Sequence, residues 1–367
     1  KSVIAIAPMN LDGTEVIGES QIIYDGHETD PTIEGPKIHK RNGWYYIFAP
    51  AGGVATGWQL VLRSKNIYGP YEEKIVLEQG STKINGPHQG AWVETQTGES
   101  WFFHFQDMDS YGRVVHLQPM VWENDWPKIG NDFDGNGVGE PVSEFKKPKI
   151  GKTFPIQTPI ETDNFDEFSI GKQWQWQANP DVVWYAKLPG NKFLRLFSIK
   201  KTSEIKNLWN TPNLLLQKFP APNFSATTKI KLVLEEVTEG KKAGIIVMGT
   251  DYAILAINHD EKGFFVEQNV AIDAINGGEE FVNELQRIRS DTVYFKVEVS
   301  SPDSTCQFLY SENGKNFLSE EEEKSNVQKL KEKLIELKIP VEQIKIKTAN
   351  INEIKGIDLM SKECEVR

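Results

Sequence analysis

Glu34 stands in Thr32-Ile33-Glu34-Gly35-Pro36-Lys37-Ile38, an acid between an apolar residue and a Gly-Pro turn. The run Trp44-Tyr45-Tyr46-Ile47-Phe48 follows and reads as a buried strand. A carboxyl held at a strand edge and partly desolvated by aromatics has a raised pKa. It can keep its proton near neutral pH and act as a general acid. The plainer reading is a glutamate that opens a turn and carries no chemistry.

Other stretches offer weaker chemistry. Ala51-Gly52-Gly53-Val54-Ala55-Thr56-Gly57 is Gly-rich, but it lacks the G-x-x-x-x-G-K-[ST] pattern and no helix pattern follows, so a phosphate cradle is rejected. Asp132-Phe133-Asp134-Gly135-Asn136-Gly137 opens like a calcium loop, which makes Asp132, Asp134 and Asn136 candidate Ca2+ ligands. Its twelfth position is Ser143, and Glu144 comes one place late, so a polar turn is the default. His88, His104 and His116 lack the short spacing of a zinc motif.

These residues need elements to hold them. The chain has 367 residues, enough for two domains. A net charge of -11 argues against a nucleic-acid partner, and no apolar run is long enough for a transmembrane helix. Cys306 and Cys364 are far apart in sequence and read as two free thiols, leaving the compartment undecided. The sequence starts Lys1-Ser2 with no leader pattern, so its true start is expected to lie elsewhere.

Short strands separated by Gly and Pro turns, with no helices between them, run through the first 145 residues and predict an all-β fold. If about four strands recur radially, the architecture is a propeller. Residues 146–160 are Lys- and Pro-rich and read as a linker. From Asp163, longer alternating runs predict an antiparallel β-sandwich over 161–318. At 319–367 the character changes to a charged tail. There Val327, Leu330, Leu334 and Leu337 recur at helical spacing after an acidic start, until Pro340.

Several stretches, in order, resemble glycoside hydrolase family 43. They are Ile33 to Ile38, Gly57-Trp58-Gln59, Arg63 to Tyr71, Asn85-Gly86-Pro87-His88-Gln89-Gly90-Ala91-Trp92 and Tyr111 to Pro119. The region from Asp163 to about Phe317 is similar to the concanavalin-like sandwich of β-xylosidase-type members. The resemblance implies a five-bladed β-propeller and a hydrolase removing terminal xylosyl or arabinofuranosyl residues with inversion, without a required cofactor. It implies three carboxylates: a base Asp, an acid Glu and an Asp that tunes the acid. Glu34 matches the acid. His88 matches a histidine near the propeller axis, and Arg113 an arginine that reaches the sugar. Trp58, Gln59, Gln89 and Trp92 are candidate pocket walls. Plainer readings stand beside these: His88 as a satisfied core histidine, Arg113 as a surface ion-pair partner, and Trp58 and Trp92 as packing between blades. Family resemblance favours an extracellular or periplasmic setting and a xylo- or arabino-oligosaccharide partner.

The chain also departs from the family pattern. Only Asp12, Glu15, Glu19, Asp25, Glu28 and Asp30 precede Glu34 as acids, and none has the expected strand context. Asp30-Pro31 is too close to Glu34 to belong to another blade. The expectation is a partial propeller lacking about two blades and the base Asp. Its open edge would be completed by another segment or by self-association. The alternative is a carbohydrate-binding remnant without turnover.

Overall fold

The computed structural model describes residues 2–158, 160–188, 190–202, 205–234, 240–301 and 305–317, with short strands at 357–358 and 364–366. The expected helix within 319–340 lies outside the described residues. The chain divides into two compact units, 1–108 with 113–157, and 109–112 with 158–367. None of the helices among the described residues is long and apolar enough to cross a membrane.

The first unit is all-β. Strands β1 (Val3–Ile6) and β2 (Gln21–Asp25) form a two-stranded antiparallel ribbon. Strands β3 (Lys37–Arg41), β4 (Trp44–Ala51), β5 (Trp58–Ser64) and β6 (Glu72–Leu77) form a four-stranded meander. A second meander holds β7 (His88–Glu94), β8 (Ser100–Asp107), β9 (Arg113–Glu123) and β10 (Trp126–Ile129). These are propeller blades.

The near-continuous apolar run of β4 follows from burial on both faces. Tyr46 and Phe48 join Val61, Phe102, Met120 and Ile129 in a cluster shared by the two meanders. Ile47, Ala49 and Ala51 point the other way, to Ile4 and Ile33. Alternation along a strand sorts the two sets. In the second meander the cover is uneven. Phe102 is buried, and on the opposite face Trp101 and Phe105 are also buried, whereas Val93, Phe103 and Val115 are open to solvent.

Residues expected to be a linker start out attached. Lys149 N donates to Glu99 Oε2, Thr97 Oγ1 donates to Lys149 O, and Phe145 lies edge-on to Trp101. The first unit continues to Gln157.

The second unit is a β-sandwich. Short strands β11 (Gln175–Trp176), β12 (Tyr185–Ala186), β13 (Leu194–Leu196) and β14 (Leu215–Leu216) precede the long ones. These are β15 (Phe224–Leu232), β16 (Lys242–Met248), β17 (Tyr252–Asp260), β18 (Gly263–Ala271), β19 (Glu280–Arg287), β20 (Thr292–Ser300) and β21 (Thr305–Ser311). Strands β22 (Ile357–Asp358) and β23 (Cys364–Val366) complete sheets ordered β12-β13-β23-β15-β20-β21 and β19-β18-β17-β16-β22. Ile230, Val293, Phe295 and Phe308 meet Ile245, Val247, Leu255 and Val266 between them. Cys306 joins this core as a free thiol, and burial pushes its pKa up to about 12.

Candidate active site

The candidate site lies wholly in the first unit. Glu34 precedes β3 on a segment held beside the end of β4, where Glu34 N donates to Pro50 O at 3.0 Å and Gly52 N to Pro31 O at 2.8 Å. Ile33 turns into the apolar cluster, so Glu34 turns outward. Its side chain is 50 % exposed, more open than the aromatic-shielded setting read from the sequence.

Two neighbours from β7 converge on one oxygen. His88 Nε2 lies 3.2 Å from Glu34 Oε1, and Gln89 Nε2 donates to the same atom at 3.1 Å. A regular strand would send these consecutive side chains to opposite faces. The β7–β8 register shifts between His88 and Ala91, and Gln89 sits at φ 53°. That bulge aims both residues at Glu34. Two glycines make room. A Cβ on Gly35, itself at φ 53°, would stand 2.2 Å from Gln89 Oε1, and one on Gly90 would stand 2.0 Å from the Phe102 ring. The Glu-Gly-Pro and His-Gln-Gly sequences are therefore two halves of one close approach.

His88 is completely buried. Burial lowers its pKa, the Glu34 contact opposes this, and the Arg113 charge adds to the lowering; the net direction is down. The ring is thus neutral at neutral pH. When Glu34 is ionised, Nε2 carries the proton it donates, and buried Nδ1 is a bare acceptor with no hydrogen-bond partner. Phe105 joins the group, with the His88 ring 5.9 Å and the Arg113 guanidinium 4.7 Å from its centroid. Arg113 is exposed at the start of β9, able to meet a ligand.

Glu34, His88, Gln89 and Arg113 are thus gathered in one place. The remaining candidates are placed differently. Trp92 packs against Trp122 and His39, and its indole donates to Ser100 Oγ, which makes it a packing residue between the meanders. Trp58 donates from Nε1 to Asp30 Oδ1 at 3.0 Å and packs in the cluster around Ile33. Gln59 is completely buried; its amide donates to Leu60 O, while Oε1 has no partner. None of these three forms an exposed sugar platform. His104 and His116 stack at 5.3 Å, and burial takes His104 down to about 4.

The calcium-like loop closes on itself. Asp132 accepts from Gly135 N and Gly137 N, and Asp134 from the backbone and side chain of Asn136. Asn136 Oδ1 in turn accepts from Val138 N. Among the described residues no three His, Cys, Asp or Glu side chains are grouped to hold a metal.

Two participants carry no local sequence signal, Phe105 and the buried Asp30. Phe105 reads as one apolar residue in an alternating strand. Nothing around Asp30 announces that its partners come from β2 and β5.

Comparison with known proteins places the chain in a family. Residues 1–127 match the model for glycosyl hydrolases family 43, and residues 162–336 the beta xylosidase C-terminal concanavalin A-like domain. A Xylanibacter ruminicola relative is 40 % identical over 318 residues, covering 86 % of this chain and 55 % of its own length. A beta-xylosidase of Formosa agariphila is 30 % identical over 352 residues, covering 85 % and 56 %. The chain thus spans little more than half the length of these relatives. The crystal structure of the family 43 protein BlXynB from Bacillus licheniformis superposes with a TM-score of 0.71 at 21 % identity, covering 96 % of this chain and 65 % of that one. With both domain models matched in order and these relatives at 40 % and 30 % identity, the chain belongs to glycosyl hydrolase family 43.

Proposed function

We propose that Glu34 is the general acid of a glycosidase acting on terminal xylosyl or arabinofuranosyl residues. The observation that carries this is the convergence of His88 and Gln89 on Oε1 of a half-exposed carboxyl. Both contacts orient that oxygen and leave Oε2 to deliver a proton to the leaving oxygen. Arg113, held over Phe105, is the cation that fixes sugar hydroxyls.

The reaction is a single displacement with inversion. A base carboxylate about 6.5–9.5 Å from the acid activates water on the opposite face of the sugar. Among the described residues, the side-chain hydrogen-bond partners of Glu34 are His88 and Gln89, and the nearest acid in sequence, Asp30, is committed to Tyr24, Thr29 and Trp58. The chain spans little more than half the length of its relatives, and the base is proposed to lie in the part it does not cover. This chain alone is expected to bind xylo-oligosaccharide without turning it over.

Calorimetry with xylo-oligosaccharides and release of nitrophenol from nitrophenyl xyloside and arabinofuranoside test this directly. Binding without release from the pure chain is expected. Release that is lost in Glu34→Gln would place the base within the chain and overturn the assignment of the base elsewhere. Release that survives Glu34→Gln would overturn the role of Glu34.

A further inference from the structure

We infer that Asp30 is a positioning residue that sets where Glu34 stands. The inference rests on the reading of Glu34 as the proton donor. Asp30 is only 3 % exposed, unusual for a carboxylate. Three neutral donors surround it. Tyr24 OH reaches Oδ2 at 2.5 Å, Thr29 Oγ1 reaches the same oxygen at 2.8 Å, and the Trp58 indole N–H reaches Oδ1 at 3.0 Å. Tyr24 lies on β2 and Trp58 on β5, so one carboxylate joins the ribbon, the loop and the first meander. Tyr24 also contacts Glu73 of β6.

The segment between Asp30 and Glu34 is over-determined. Asp30 N donates to Gly26 O, and Ile33 N to Asp30 O. Thr32 N donates to Ser2 Oγ at 3.0 Å. Thr32 itself sits at φ 61°, a strained region for a β-branched residue. Such strain persists only where the surroundings enforce it. The anchors at Asp30 and Ile33 do so, and the outcome is a Glu34 turned outward within reach of Gln89. Trp58 is then a strut, not a sugar platform. This matches its tight packing, since a Cβ on Gly52 would lie 2.6 Å from its ring.

The carboxylate acts here through its bonds and not its charge, and this separates two variants. In Asp30→Asn, Oδ1 still accepts from Trp58, and Nδ2 donates to the Tyr24 and Thr29 oxygens. Tyr24 then turns its proton to Glu73. Asp30→Ala leaves the Thr29 hydroxyl and the Trp58 indole without this acceptor and Tyr24 with Glu73 alone.

The test is amide hydrogen exchange on the 367-residue chain, with NMR of the Gln89 side-chain amide. In Asp30→Ala the Glu34 amide is expected to exchange about tenfold faster or more. The Gln89 resonances should move, while amides of β7–β10 keep their rates. Asp30→Asn should restore both. Should Asp30→Ala not fold, Tyr24→Phe and Trp58→Phe each remove one donor and should speed the Glu34 amide alone. Unchanged exchange and unmoved Gln89 resonances would overturn the inference. So would a uniform rise across both meanders, or failure of Asp30→Asn to rescue. Neither readout depends on turnover, so a failed glycosidase assay leaves this result separate.

Discussion

Each unit buries a cluster of polar side chains, and the two clusters are finished in different ways. In the second unit Lys242 pairs with Glu280 and lies 3.8 Å from Glu267. Tyr252 OH donates to Glu280 Oε2 at 2.6 Å, and Asn269 to Oε1 at 2.7 Å. Burial pushes the Glu280 carboxyl up, but the Lys242 charge and the bonds from Lys242, Tyr252 and Asn269 outweigh it and hold it low. That cluster carries its own counter-ion, Lys242, although Asn269 Oδ1 is buried in it without a partner. In the first unit His88 Nδ1 and Gln59 Oε1 are buried without partners, and Glu34 faces solvent. A charge-compensated cluster with its carboxylates held inside serves the fold. One whose acid faces solvent, held by a neutral imidazole and an amide and not by a cation, is arranged to meet something else.

The largest break in this comparison is expected from Lys242→Met. It leaves two buried carboxylates without their cation and should cost about 3–5 kcal/mol in denaturant unfolding. A loss under about 1 kcal/mol would show that the cluster is not charge-closed.

Acid should separate the units next. Burial lowers the pKa of His39, His88, His104 and His116, all in the first unit. A histidine that binds its proton more weakly when folded stabilises the fold above its unfolded pKa, near 6.5. That contribution is lost as pH falls towards the folded value, about 4 for His104. His104 alone accounts for up to about 3 kcal/mol over this window. Hydrogen exchange across the range should accelerate in the first unit before the second, and His104→Gln should flatten the dependence.

Gly35→Ala tests the close approach itself. A side chain at φ 53° and 2.2 Å from the Gln89 amide should cost about 1–2 kcal/mol and displace Gln89 from Glu34, read by its side-chain resonances. Asp132→Asn should have the smallest effect, within about 0.5 kcal/mol, because that exposed loop is closed by local bonds. Excess Ca2+ should leave the unfolding midpoint unchanged; a rise would support the calcium reading.

Much of this was legible in the sequence where local pattern and burial coincide. Trp44 to Phe48 reads as buried strand because both faces of β4 are covered. Strand β6 escapes such a reading because Glu72, Glu73 and Lys74 are exposed and the inward residues are confined to its end, Ile75 to Leu77. The motifs with Glu34, His88, Gln89 and Arg113 were readable as a set, and the structure brings those four together. Trp58, Gln59 and Trp92 sit on the same motifs, yet their side chains are spent on packing. Alternation decides that, and a bulge at Gln89 resets it, which no composition reveals. Asp30 is invisible for a similar reason, since its partners Tyr24 and Trp58 lie 6 and 28 residues away.

The central claim is that Glu34 gives its proton to the leaving oxygen. The direct test is a leaving-group series, from dinitrophenyl to natural xylosides, using the protein from the complete reading frame that carries these residues. Glu34→Gln should lower kcat/KM by about 10²–10⁴ for natural glycosides, whose leaving oxygen needs the proton, and far less for dinitrophenyl xyloside. Loss of the same size across the series, or no loss at all, would contradict it.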